Sequence, residues 1–272
     1  MILLAAVLPA VMAQTPEDSL KVVNADWGWQ QLEKGAQAGY AELQIFGGAT
    51  ECISVVKYPQ KRFKTSVIHA PAETSASTSK IAIANKALIA CNGSYFNMRK
   101  ITPVTFVALK HQQLGWPSKS ELFRLTGSLC IKGRRVDIVP SDSTKYESML
   151  KKYDAVLESG PILRVGGKDV QNTKEGGFFA SRHPRTMIGK GADRYIYMIV
   201  IDGRWKEHSA GASIEETTAI ARYFGLVDAL NLDGGGSSTV WSAQTGTINH
   251  PNDNGKWDHE GERTVPNVVI AK

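Results

Sequence analysis

Cysteine is scarce in this chain. Cys52, Cys91 and Cys130 are the only three in 272 residues, too few and too widely spaced for a disulfide framework, although one bridge could form and leave a thiol over. No Cys-x-x-Cys pair or His-x-x-x-His spacing occurs, which removes the common zinc sites. Dense positive charge is missing too: the stretches from Lys57 to Lys64 and from Lys132 to Arg135 stop short of five basic residues. The net charge of +6 and pI near 9.1 therefore favour anionic ligands weakly and speak against nucleic acid. No apolar run is long enough to span a bilayer. The run that comes nearest, Ile2 to Val11, leads into Val11-Met12-Ala13, with small residues where a signal peptidase needs them. Residues 1–13 read as a secretion signal cleaved before Gln14, though only Met1 stands where a positive region is usual. The expectation is a secreted or periplasmic protein with no stable membrane insertion after cleavage. Internal repeats, low-complexity tracts and linkers are also lacking, so residues 20–272 should form a single domain.

What the chain does have is apolar strands that end on polar turns. The clearest is Val227-Asp228-Ala229-Leu230-Asn231-Leu232-Asp233-Gly234-Gly235-Gly236-Ser237-Ser238-Thr239, a strand-length apolar run that reaches an acid, three glycines and three hydroxyls. Glycines in series allow positive φ and close backbone approach, and successive inward amides form a nest for anions. A tight turn between strands is the plain alternative. Tyr195 to Ile201 repeats the pattern into Asp202-Gly203-Arg204, and Ala155 to Leu157 runs into Glu158-Ser159-Gly160-Pro161. Glu158 is either the outward face of a half-buried strand or a site carboxylate. Ala87 to Cys91 delivers Asn92-Gly93-Ser94-Tyr95-Phe96, an Asn-Gly hairpin turn or a pocket wall whose rings suit a sugar face.

Between these lie further signals. Tyr40–Phe46 and Cys52–Tyr58 alternate with period 2 and predict a hairpin. Asp26 to Lys34 is amphipathic and fits either an opening helix or a covering segment. Helices are predicted over Thr74–Asn85, Ser143–Lys151 and Ala212–Phe224, the last with Ser213 as N-cap and Gly225 as stop. Gly166–Ala180 is glycine-rich and polar and reads as a mobile loop or lid. In Arg182-His183-Pro184-Arg185-Thr186, two arginines flank a proline, and their planar forks suit phosphate oxygens. If the strands before Asp202 and Asp233 are parallel neighbours, both carboxylates open on one sheet edge. His250 and His259 read as solvated rather than catalytic, and Glu262-Arg263 either close the site or pair with each other. The fold class expected is α+β: one domain with a central multi-stranded sheet flanked by helices.

In order and type, Asn92 to Phe96, Glu158 to Pro161, Arg182 to Thr186, Asp202 to Arg204, Asn231 to Thr239 and the closing Glu262-Arg263 with Val265-Pro266-Asn267 resemble the phosphodiester glycosidase family. The resemblance spans roughly residues 85–270. It implies an enzyme that hydrolyses a sugar 1-phosphodiester, from a small molecule or a glycan, between the anomeric carbon and oxygen, and releases a free sugar that can be N-acetylated. On this reading Asp233, Asp202 and Glu158 are the candidate catalytic carboxylates. Substrate contacts fall to Asn92, Tyr95, Arg182, Arg185, Arg204, the amides of Gly234, Gly235 and Gly236, the hydroxyls of Ser237 and Ser238, and Glu262 with Arg263.

The chemistry fits these residue types. The bond leaves as a phosphate monoester, whose second pKa is near ~6, so charge stabilisation matters more than a strong general acid. Asp202 or Asp233 could activate water or stabilise the oxocarbenium-like centre. A separation of roughly 5–5.5 Å favours a retaining route and roughly 6.5–9.5 Å an inverting one. A serine nucleophile is disfavoured because Gly236-Ser237-Ser238-Thr239-Val240 lacks the second glycine of the nucleophile elbow. No cofactor is expected. A divalent cation between Asp233 and a substrate phosphate stays open, with no ligand spacing to argue for it. The rival function is a non-catalytic binding protein for phosphorylated or anionic cell-surface glycans.

Overall fold

The strand Tyr195–Ile201 buries Ile196, Met198 and Val200 on one face and Tyr197, Ile199 and Ile201 on the other. A strand apolar on both faces has to be covered on both, and that requirement organises the molecule. The computed structural model describes residues 16–172 and 176–272; the expected secretion signal lies outside them. Tyr195–Ile201 sits inside an eight-stranded sheet ordered Gln30–Gln31, Gln37–Ile45, Ala49–Pro59, Tyr195–Ile201, Arg185–Gly191, Leu226–Asn231, Ile162–Val165, Lys168–Asp169. Every neighbouring pair in it is antiparallel.

One face of this sheet packs on two five-stranded sheets. The first contains Gly127–Lys132 and Ala155–Ser159, the second Ile89–Asn92, Val240–Ser242 and Asn267–Ala271. Val56, Met198 and Leu230 of the large sheet meet Leu129 and Leu157 from the first and Cys91 and Val269 from the second. The opposite face is closed by helices Ile214–Tyr223 and Pro16–Val23 and by Trp27. Helix Thr78–Ala84 covers the outer side of one small sheet through Ile81 and Ala82, and Tyr146–Lys152 covers the other through Tyr146 and Met149. The result is the mixed α+β domain that the strand and helix patterns predict, with helices outside and stacked sheets within.

Local chemistry explains most of the element boundaries. Ser213 and Glu216 form a capping box at the start of Ile214–Tyr223, which satisfies two otherwise free amides. The predicted hairpin forms from Gln37–Ile45 and Ala49–Pro59. Asp26–Lys34 is a covering segment rather than a helix: Gly28 turns at φ 52°, and Trp27 packs edge-on against Phe224 while donating to the carbonyl of Val22. The run from Ala155 to Val165 forms two strands. Ala155–Ser159 belongs to a small sheet, Ile162–Val165 to the large one, and Gly160-Pro161, joined by a cis bond, carries the chain between them. The predicted loop over Gly166–Ala180 has ordered ends, since Lys168–Asp169 pairs back on Ile162–Val165 and Gly177–Ala180 makes a helical turn with Phe179 buried. All three cysteines are buried free thiols. Among the described residues, no helix is long and apolar enough to cross a membrane.

Candidate active site

Three chain segments meet at one edge of the large sheet. Arg185 pairs with Ile201, and Met187 with Asn231, so the start of Arg185–Gly191 lies level with the ends of the antiparallel strands on either side. Those ends release Asp202-Gly203-Arg204 and Leu232-Asp233-Gly234. The strands before Asp202 and Asp233 are therefore parallel to each other but separated by a third strand, so the condition of direct neighbours is not met.

The glycine turn is held by side chains from beneath. Asn92, at the end of a strand in a small sheet, donates from Nδ2 to the carbonyl of Asp233 at 2.8 Å and accepts at Oδ1 from Thr186 Oγ1 at 2.8 Å and from the amide of Thr239 at 3.1 Å. Asn231 donates to Tyr95 Oη and to the carbonyl of Gly160, both at 2.9 Å. Close approach explains the glycines. A Cβ on Gly234 would stand 2.5 Å from the carbonyl oxygen of Pro184, and one on Gly236 would stand 2.4 Å from Asp253 Oδ1. Gly235 takes φ 62°, in the left-handed region that side chains disfavour.

Above the turn lies a cleft of about 220 Å³, lined by Tyr95, Arg124, Phe178, His183, Pro184, Arg185, Arg204, Asp233, Gly234, Gly235 and Arg263. That is smaller than the roughly 300–1,000 Å³ of drug-sized pockets and suits a compact polar ligand. Four arginines and one carboxylate line the cleft; Arg124 also pairs with Glu121 and Arg263 with Asp253, and Arg185 donates to the carbonyls of Ala212, Phe178 and Ser181. Burial pushes Asp233 up to about 6, against the opposing pull of the Ser237 hydroxyl, Arg124, the Gly234 amide and Arg263. Burial pulls the Arg185 guanidinium down to about 10, still charged at neutral pH. The His183 imidazole is lowered by burial and then by Arg185 and Arg204, which favours its neutral form. Arg124 lies 3.7 Å above the Tyr95 ring and 4.7 Å from that of Phe178, a cation held between aromatic faces.

Of the residues singled out by sequence, Tyr95, Arg185, Arg204, Gly234, Gly235, Asp233 and Arg263 line this cleft. The amides of Gly234 and Gly235 are nonetheless spent inside the protein, on Asp233 Oδ1 and the carbonyl of Pro184. They do not form the open nest expected for phosphate. Ser237 and Ser238 are buried in the turn that follows, and Gly236 packs against Asp253 and Arg263.

Other candidates are engaged elsewhere. Asp202 is buried and accepts from Asn249 Nδ2, from the His250 amide, and from its ring across 3.2 Å. Glu158 lies in a small sheet, opposite Ser128, where Tyr146 Oη, Ser141 Oγ and the amide of Phe106 surround it. Burial raises its carboxyl despite those donors. Arg182 forks onto Glu216 at 3.0 Å. Its odd offset from Arg185 along extended chain sends the two side chains to opposite faces. Glu262 accepts from the Ser79 amide at 2.9 Å and from Thr247 Oγ1 at 3.0 Å, and Arg263 pairs with Asp253 rather than with it.

Arg124, Phe178 and His183 escaped the sequence reading as wall residues. Arg124 stands on an irregular segment and Phe178 in a single helical turn, neither with a periodicity to mark it, and the only signal was the aromatic–basic alternation of Phe123-Arg124. His250, expected in solvent, instead stacks into an aromatic column, with Trp257 3.7 Å from His250 and 4.4 Å from His208; His259 is exposed as expected, its ring 4.4 Å from that of His250. Among the described residues, no three His, Cys, Asp or Glu side chains gather as a metal site.

The fold is shared with known proteins. The catalytic domain of zebrafish N-acetylglucosamine-1-phosphodiester α-N-acetylglucosaminidase, auto-inhibited by its pro-peptide, matches at TM-score 0.67 and 16% identity over 89% of this chain and 86% of its own. A hypothetical protein from Synechocystis matches at 0.63 and 15% identity over 87% and 62%, and a putative exported protein from Burkholderia pseudomallei at 0.59 and 16% over 82% and 74%. No curated protein matches the sequence. The family model for phosphodiester glycosidases matches residues 85–272, the part of the chain that contributes every residue of the cleft. On that match, the protein belongs to the phosphodiester glycosidase family.

Proposed function

We propose that this protein is a hydrolase acting outside the cytoplasm, secreted or periplasmic, that cuts the bond between a sugar's anomeric carbon and its phosphate oxygen in a sugar 1-phosphodiester. The observation that carries the reading is the make-up of the cleft: Arg124, Arg185, Arg204 and Arg263 around one carboxylate, Asp233. Arginine forks match phosphate oxygens, and the rings of Tyr95 and Phe178 offer faces to a sugar. The zebrafish relative is named for the same class of bond.

One acid is enough for this substrate. Water attacks the anomeric carbon and gives a proton to Asp233, while the C1–O electrons return to the phosphate. The phosphate departs as a monoester whose second pKa near ~6 needs no protonation. The arginines stabilise the charge that gathers there. The products are the free sugar, N-acetylated where the substrate was, and the phosphate monoester.

The test is incubation with a nitrophenyl sugar 1-phosphodiester or with UDP-N-acetylglucosamine, scored for free sugar. Release that disappears in Asp233→Asn while ligand binding persists supports the assignment. Binding without release identifies a glycan-binding protein instead, and the absence of release from any sugar phosphodiester overturns the hydrolase reading.

A further inference from the structure

A phosphodiester carries two substituents, and the reading above assigns only the sugar. With the phosphate held among the arginines, the second substituent has to leave through the mouth of the cleft, so the chemistry of that mouth selects it. Two side chains in contact with cleft-lining residues are apolar and face water. Phe123 is 44% exposed; its ring centre lies 5.9 Å from that of Phe178, and the Arg124 guanidinium lies 5.6 Å from it. Met98 is 61% exposed, with its sulfur 3.9 Å from Arg263 Nη1. Leu122, next to Phe123, is 51% exposed. Charged groups stand at this margin too, but Asp253 and Glu121 are already paired with Arg263 and Arg124, and beside those pairs the exposed apolar side chains offer a surface that suits an anionic phosphate esterified to a hydrocarbon.

We propose that the group on the far side of the phosphate is apolar, a long-chain or prenyl alcohol, so that the substrate is a sugar phosphate carried on a lipid-like chain and Phe123, with Met98, selects for that chain. The inference rests on the hydrolase reading. Phe123 and Met98 are specificity residues: neither is needed for the reaction at C1.

The experiment compares kcat/KM for three sugar 1-phosphodiesters that differ only in the second substituent: methyl, decyl and a short prenyl chain, all below their micellar concentrations. The wild type should prefer the chain-bearing esters to the methyl ester by about tenfold, the worth of covering one aromatic face. Phe123→Ser should remove most of that preference while leaving the methyl ester unchanged. Val23→Ser, at a more exposed apolar residue on the Pro16–Val23 helix, should leave both unchanged. If the wild type hydrolyses methyl and decyl esters equally, or UDP-sugar better than either, the apolar assignment is overturned and the hydrolase stands. If none is hydrolysed, the hydrolase reading has failed first. Loss of the methyl ester in Phe123→Ser would move Phe123 into the catalytic wall and overturn its role in selection.

Discussion

Asp202 and Asp233 look alike in the sequence and end up in opposite circumstances. Each follows a buried strand, each precedes glycine, and their strands run parallel on either side of Arg185–Gly191. Asp202 is enclosed by the Asn249 amide, the His250 backbone and ring, and the aromatic column on Trp257. Asp233 has two local donors, the Gly234 amide and the Ser237 hydroxyl, and otherwise looks onto arginines across an open cleft. A carboxylate whose oxygens are already filled can brace a loop but cannot take a proton from water. What separates an enclosed acid from an accessible one here is the segment that covers it, supplied for Asp202 by residues about fifty positions later in the chain.

The strongest way to break this contrast is to neutralise each acid and measure turnover. Asp233→Asn should lower kcat by roughly 10²–10⁴-fold, the usual worth of a positioned acid or base, while Asp202→Asn in folded protein should stay within about tenfold of wild type. Comparable losses in both would make Asp202 a second participant. Stability should divide the pair the other way. Asp202→Ala leaves the Asn249 amide and the His250 backbone without their acceptor, at a cost of about 1–3 kcal/mol for a stranded buried polar group, seen as a lower midpoint in urea at unchanged slope.

The pH profile sharpens the contrast further. Asp233 has to be ionised to accept a proton from water, and its carboxyl is pushed up to about 6. kcat/KM should therefore climb with pH through about 6 and level off above it. Asp202→Asn should keep that inflection. A profile that falls across the same range would make Asp233 an acid and reverse the proposed direction of proton transfer.

The difference between the two acids was only half legible in the sequence. Strand runs ending on polar turns marked both, because apolar periodicity is local and survives in any context. The strands, the Ser213 N-cap and the glycine turn were readable for the same reason. What sequence could not supply was the partner across space. Glu158 fits the same pattern as Asp233, yet the chain crosses between sheets at Gly160-Pro161, which leaves it against Tyr146 instead of in the cleft. Arg182 and Arg185 read as a pair, and the parity of an extended chain divides them between Glu216 and the cleft. Arg124 had no local mark, because its role comes from lying between Tyr95 and Phe178. The one-dimensional pattern places an acid at a sheet edge, and long-range hydrogen bonds decide whether it is free to react.

The finest test of the comparison lies in stability against pH. The folded Asp233 carboxyl titrates near about 6, above the ~3.9 of an unfolded chain. Between roughly pH 4 and 6 the folded protein therefore holds a proton that the unfolded chain has released, and stability falls as pH rises across that window. Above about 6 the loss is complete, and below about 4 both states are protonated and it vanishes. Asp233→Asn removes the group that carries this loss. It should be more stable than wild type at pH 7, by on the order of 1–2 kcal/mol once water in the cleft is allowed for, and indistinguishable from it near pH 4. Thermal melts at both pH values check this, and the variant that abolishes turnover should be the one that melts later. If Asp233→Asn melts earlier than wild type at pH 7, the carboxylate is stabilised by its arginines more than burial penalises it, and Asp233 would belong with Asp202 as a structural acid.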